Sequence, residues 1–254
     1  MQATIQRRFI RNFSFQASYV WSKFLDEFDS SAWGSRNGTT TYQNSNDVGA
    51  NYGPSNFDVR NAFKGDAIYQ LPFGRGQMFL NKNSIVDEVI GGWQLANTFV
   101  LQGGNPFTVT VPTSLSQSYA GSGNLYPNWN SNPSNVTNKS LNHWFNTTYV
   151  GQTGTALDAT PAYSIPASGT FGNFHRNNIY GPGLVSYNAS LGKTFSLYKE
   201  RVKMQVRADA TNVLNHPVFA QPNSSITNGN FGKITGTNGY VGGRNIQLGA
   251  CLSF

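Results

Sequence analysis

The chain has 254 residues and a formal net charge of +7, with 11% charged and 14% aromatic side chains. Ordinary soluble domains carry about 25% charged residues, so a conventional soluble surface is disfavoured. The cations are scattered singly, which disfavours nucleic acid as a partner. The single cysteine, Cys251, excludes an internal disulfide and any Cys-pair metal site.

No apolar run approaches the roughly 18 residues of a membrane-spanning helix, so the alternation of side chains carries the reading. Gln2 to Phe9 alternates, with Ala3, Ile5 and Phe9 against Gln2, Thr4, Gln6 and Arg8; Arg7 breaks the apolar side. After a tight connection at Ile10–Asn12, Phe13 to Ser22 sets Phe13, Phe15, Ala17, Tyr19 and Trp21 against Ser14, Gln16, Ser18 and Ser22. Lys23 to Val59 is a long polar loop, and its acidic residues Asp26, Glu27 and Asp29 read as a solvated face rather than a cation site. Arg60 to Leu71 is the next strand and ends in a turn at Pro72–Gly76. Ser84 to Ile90 suits a short helical turn before the strand Trp93 to Gln102, whose apolar side Asn97 interrupts.

Gly103 to about residue 184 is rich in Pro, Asn, Ser and Thr and reads as the least structured part. Within it, Phe107 to Val111 suits an extension of the preceding strand and Leu141 to Phe145 a short helix. Tyr126, Trp129, Trp144 and Tyr149 are tentative ligand contacts, although loop aromatics more often pack the loop against itself. Val185 to Ser196 is a strand, and a turn at Leu197–Glu200 leads into Arg201 to Thr211. There Val202, Met204, Val206, Ala208 and Ala210 oppose Arg201, Lys203, Gln205, Arg207, Asp209 and Thr211. A loop at 212–243 follows, with a short strand expected at Phe231 to Thr235. Arg244 to Phe254 closes the chain, with Ile246, Leu248, Ala250, Leu252 and Phe254 on one side.

Successive side chains of a strand point to opposite faces, so these runs are strands with one apolar and one polar face. Each is about ten residues long, enough to cross a bilayer when tilted. Long alternating strands, short turns and long loops form the pattern of an all-β, antiparallel, up-and-down transmembrane barrel. If the last strand runs toward the periplasm, every short turn falls on that side and every long loop outside. The competing reading is a soluble or surface-attached antiparallel sheet that holds glycans with its loop aromatics. Met1 is followed at once by polar and basic residues, so no secretory signal is read. An exported barrel needs one, and the expectation is a fragment or a start placed inside a longer gene.

Little points to catalysis. His143 and His175 lie in long loops and His216 in an Asn-His-Pro turn, and none has a partner at metal-ligand spacing. The glycines form no phosphate-binding loop, and the carboxylates are too dispersed to suggest a glycosidase pair. The expectation is no enzyme, no cofactor and no metal. Charges facing lipid cost roughly 2–4 kcal/mol each at the midplane, so Arg201, Lys203, Gln205, Arg207 and Asp209 are lumen-facing candidates.

Six stretches together resemble a known family: Gln6 to Lys23, Tyr52 to Gly76, Gly91 to Val109, Gly172 to Gly183 with its following strand, Val206 to Asn223, and the terminal strand. In that order they look like the C-terminal part of the barrel of TonB-dependent outer-membrane receptors, closest to the Oar-like group with a carboxypeptidase-regulatory-like domain. The resemblance implies a barrel of about 22 strands, of which this chain would supply about a third. It also implies a plug and TonB-powered uptake of a siderophore, cobalamin or glycan, and disfavours a passive porin. No plug or TonB box is read in this chain. Partners implied are outer-membrane lipid, the TonB complex through a plug, and the barrel-assembly machinery, which would read the terminal Phe254. The lumen charges would then pair with the plug or neighbouring strands, since buried charges need partners.

Overall fold

The computed structural model describes residues 1–10, 12–29, 42–74, 77–79, 89–112, 125–198, 202–239 and 241–254. Seven long strands dominate: β1 (Gln2–Ile10), β2 (Phe13–Trp21), β5 (Asn61–Gln70), β6 (Trp93–Gln102), β11 (Leu184–Tyr198), β12 (Val202–Thr211) and β13 (Asn245–Ser253). Between them lie two-residue strands: β3 (Leu25–Asp26), β4 (Gly53–Pro54), β7 (Pro106–Phe107), β8 (Asn128–Trp129), β9 (Tyr163–Ser164) and β10 (Ile179–Tyr180). The long strands form one sheet in the order β1-β2-β5-β6-β11-β12-β13, and every neighbouring pair is antiparallel. Each long strand thus pairs with the next long strand in the chain, which is the up-and-down arrangement the alternation predicts. β1 and β13 are the two edges of this sheet among the described residues.

The register carries each face across the sheet. On one side Tyr19 pairs Phe63, Phe63 pairs Leu101 and Leu101 pairs Val185; further along, Leu191 pairs Ala208 and Ala208 pairs Leu248. On the other side Gln16 pairs Asp66, Asp66 pairs Thr98 and Thr98 pairs Asn188, while Ser190 pairs Asp209 and Asp209 pairs Gln247. The apolar side is not packed within the chain: Leu248 is 80% exposed and Leu252 55%. Among the described residues no dry interior holds Leu248 or Leu252. The break predicted at Arg7 coincides with a register shift between Arg7 and Ile10, and Asn12 makes the following turn at φ 68°, a conformation asparagine tolerates.

The buried core lies elsewhere. Phe107, Val109, Val111, Leu125, Phe145, Tyr163, Phe174, Ile179 and Ile226 form one cluster drawn from the connections 103–183 and 212–244. Both connections leave the same end of the sheet, as does 22–60, and together the three build a cap there. The stretch expected to be least structured is therefore the best packed. Its order comes from short ladders and bridges rather than long elements. β7 pairs β10, β8 pairs β9, Thr110 bridges Ser225 and Val111 bridges Leu125. Phe107 to Val111 does not extend β6, because its side chains turn into this core. Leu141 to Phe145 is no helix; Ser140 and His143 exchange backbone hydrogen bonds in a tight turn. Phe231 to Thr235 is not a strand; Phe231 makes an isolated bridge to Asn223, and Ile234 donates its backbone N–H to the Leu141 carbonyl. Gly172 permits a close crossing, since a Cβ there would stand 2.0 Å from the Tyr126 carbonyl oxygen. Most of the expected helical turn at Ser84 to Ile90, and parts of the turns at Pro72–Gly76 and Leu197–Glu200, lie outside the described residues.

Candidate functional site

The cap is tied together by a buried cation. The Arg176 side chain is fully buried and stands 2.6 Å from Asp29 in an ion pair. It also pairs with Asp26, and its Nε donates to the Asn51 carbonyl at 2.7 Å. Burial lowers its pKa, but hydrogen bonds and charge from Asp26 and Asp29 more than offset this, and the net direction is up. Asn177, at φ 53°, donates its side-chain amide to Asp29 and to the Pro54 carbonyl, while its backbone N–H donates to Thr108 Oγ1. Two of the three acidic residues of the first loop, Asp26 and Asp29, are thus no solvated face, and Asp29 is 1% exposed; Glu27 is exposed as the sequence suggests. Asp26 and Asp29 neutralise a cation from a loop about 150 residues away. Sequence reasoning missed this node, although Arg176 and Asn177 lie inside one of the family-like stretches.

Two further polar clusters pin the loops. Arg60 Nη2 donates to the Tyr180 hydroxyl at 2.9 Å, and the Arg60 Nε lies 3.5 Å from Asp58 Oδ2. Burial raises the Tyr180 pKa; Asp58 adds to the rise and Arg60 opposes it. His143 Nε2 lies 2.8 Å from Asp158 Oδ2, and its Nδ1 3.1 Å from the Thr137 carbonyl. The sequence spacing gave His143 no carboxylate partner; the fold supplies one 15 residues away. Both members are nearly buried, and the Thr137 N–H takes the other Asp158 oxygen. Each member has a further hydrogen-bond partner, and the pair reads as a loop staple. Among the described residues no group of three or more His, Cys, Asp or Glu side chains comes close enough to hold a metal ion.

The tentative aromatic contacts separate. Tyr126 is 1% exposed and belongs to the core, so it offers no stacking face. Tyr149 packs against the same core. Trp129 keeps 36% exposure while stacking on Phe174 at 5.4 Å. Trp144 donates its indole N–H to the Tyr180 carbonyl and carries the Lys139 ammonium 4.1 Å above its ring.

On the polar side of β12, Lys203, Gln205 and Arg207 are exposed and Asp209 half-buried. Arg207 pairs with Asp209 of its own strand at 2.7 Å, and Ser190 of β11 donates to Asp209 at 2.6 Å. Lys203 forms no ion pair among the described residues, and Arg201 lies outside them. Phe254 is 98% exposed. Two polar residues on the apolar side are individually neutralised. Asn97 accepts from the Tyr187 hydroxyl at 2.7 Å. Lys193, in register with Trp93 and Val206, is 5% exposed, donates to the Val89 carbonyl and sits 4.6 Å from the Phe195 ring centre. It lies at the short-turn end, where a long cation can bury its stem and still reach polar partners.

At the opposite end of the polar side, a cavity of about 440 Å³ opens between β11, β12 and β13. Ser186, Asn188, Thr211, Asn212 and Asn245 line it together with Val241, Gly242 and Gly243, so its wall mixes neutral amides and hydroxyls with apolar surface. Asn212, at φ 48°, holds the loop side in place: its amide donates to the His216 and Gly242 carbonyls, and its N–H to Asn188 Oδ1. Asn212 falls in the family-like stretch Val206 to Asn223, but nothing local in the sequence marked this cavity.

No curated protein and no solved structure matches the chain. The family model described as an outer membrane beta barrel domain matches residues 1–247. This agrees with seven long antiparallel strands bearing one uncovered apolar face and one polar face. The chain belongs to the outer-membrane β-barrel domain family, and its place is the bacterial outer membrane.

Proposed function

We propose that this domain is part of a TonB-dependent receptor, binding a substrate at its outer face and passing it through a polar-lined barrel to the periplasm. The observation that supports this best is the uncharged cavity lined by amides and hydroxyls at the long-loop end of the polar side, together with the packed cap built at that same end. A passive pore needs no such folded cap, whereas a receptor needs a fixed surface at the mouth of its path. Hydroxyls and amides suit a polar, hydrogen-bonding ligand, and the cap carries one exposed stacking face at Trp129. The proposal includes no catalytic step. The TonB complex, acting through a plug, is the partner that would supply the energy, and the barrel-assembly machinery is the partner that would read Phe254.

The test is uptake by cells making the full receptor. Ferric siderophores, cobalamin and oligosaccharides are offered separately, with TonB active or disabled. The reading expects one class to enter only with TonB active and with lower apparent affinity in Asn188→Ala. Uptake of small solutes at equal rates in both backgrounds would replace it with a passive pore. Binding without any uptake would replace it with a surface glycan-binding module.

A further inference from the structure

We infer that the apolar side of the sheet carries a lipid site at its outer end, where an acyl chain of a net-anionic, phosphate-bearing outer-leaflet lipid lies beneath the cap. A cavity of about 470 Å³ opens there. Tyr19, Phe63, Leu101 and Val185 form its floor, and Trp144 and Phe219 reach over it from the cap. The four floor residues are consecutive cross-strand partners on β2, β5, β6 and β11, so they share one face. That face is the one with exposed Leu248 and Leu252 and is the surface this family turns to lipid. The hollow is therefore continuous with the membrane-facing surface and roofed where the sheet meets its long loops.

Its chemistry favours lipid over a polar solute. The Tyr19 hydroxyl is already bonded to Asn61 Oδ1 at 2.6 Å, and the Trp144 indole N–H to the Tyr180 carbonyl at 2.9 Å. The polar tips of the aromatic wall are satisfied, which leaves ring faces and aliphatic groups toward the hollow. Tyrosine and tryptophan in this arrangement mark the depth of the headgroup boundary. A cation stands at that depth: exposed Lys139 holds its ammonium 4.1 Å from the Trp144 ring and forms no ion pair among the described residues. An acyl chain in the hollow would place a phosphate within reach of a positive charge that the cap leaves unneutralised. The inference rests on membrane location and not on the transport reading.

The test uses outer-membrane vesicles from cells making the full chain, doped with phosphatidylglycerol or phosphatidylcholine bearing a diazirine on the acyl chain. Photolabelled peptides are then mapped. Phosphatidylglycerol should label Phe63, Leu101 and Val185 more than the open face at Leu248 and Leu252. Val185→Trp, which fills the hollow, should lower that labelling about tenfold, the factor expected from excluding roughly two buried methylenes. Ala208→Trp, on the same face but outside the hollow, should leave it unchanged and controls for folding and insertion. Lys139→Glu should lower labelling by phosphatidylglycerol at least about fivefold, the factor for losing one cation near an anionic surface, and spare phosphatidylcholine. Uniform labelling along the apolar face, or labelling indifferent to Val185→Trp or to Lys139→Glu, overturns the site.

Discussion

Leu248 in the last strand is 80% exposed, whereas Val109 in the connection 103–183 has no exposed surface at all. In a water-soluble protein these values would be reversed between strand and loop. The sheet keeps its apolar residues outward because a bilayer takes the place of a core; the cap projects into water and must build its own. The polar groups divide in the same way. In the cap Asp29 and Arg176 are buried and mutually neutralised, while on the sheet Lys203, Gln205 and Arg207 stand open along one face. One chain thus contains two solvent regimes, and stability in each depends on a different interaction.

The largest effect that tests this division is removal of the buried cation. Arg176→Ala should cost the cap about 3–5 kcal/mol, because it strands the buried Asp29 carboxylate without a counter-charge. Protease cleavage within 22–60 and 103–183 should rise sharply while the sheet keeps its heat-modifiable mobility. If the sheet is lost as well, the two regions are not separable. Replacing Asp26, Asp29 and Arg176 together with apolar residues of similar size should restore much of the protection, since no buried charge is then stranded.

Next in size is a charge on the lipid side. Leu248→Arg should cost roughly 2–4 kcal/mol if the residue sits near the midplane. Gln205→Arg, on the polar side of the adjacent strand, should be near neutral. The fraction of heat-modifiable protein in the outer membrane reads both. Equal loss in the two variants would mean that the faces have been assigned wrongly.

Alkaline pH should loosen the cap before the sheet. The Tyr163 pKa is raised, first by burial and then by the Asp158 charge, and the Tyr180 pKa is raised chiefly by burial. A raised folded-state value gives a contribution that is whole below the ordinary tyrosine pKa of about 10 and is lost as pH climbs toward the folded value. Tyrosinate absorbance should therefore rise together with cap proteolysis above that pH, and Tyr163→Phe should blunt the change. The smallest effect is expected at the open pair on the polar side. Arg207→Ala should change stability by less than about 1 kcal/mol, as exposed pairs do. A much larger loss in a thermal melt would mean that a further element covers this face.

The sheet was readable because its signal is local. Alternation in Val202–Thr211 or Asn245–Ser253 needs only neighbouring residues, and a two-residue period fixes which side chains share a face. Two irregularities were visible, Arg7 and Asn97, although the tyrosine that neutralises Asn97 and the buried cation Lys193 on the same side were not. The cap was not readable, since its partners come from separate loops. Asp26 and Arg176 are 150 residues apart, and the acidic cluster looks solvated until Arg176 arrives. The same holds for His143, whose partner Asp158 has no recognisable spacing, and for Tyr126, which looked available to a ligand and is core.

The residues alone determined that long two-faced strands would run up and down with one side toward lipid, because a bilayer selects side chains strand by strand and the pleat sorts them. Only the tertiary structure decided where the dry core lies, which carboxylates are spent on Arg176, and which hollows open at the long-loop end. Those depend on ladders of two or three residues and on buried charges meeting across long loops, and no periodicity records such meetings.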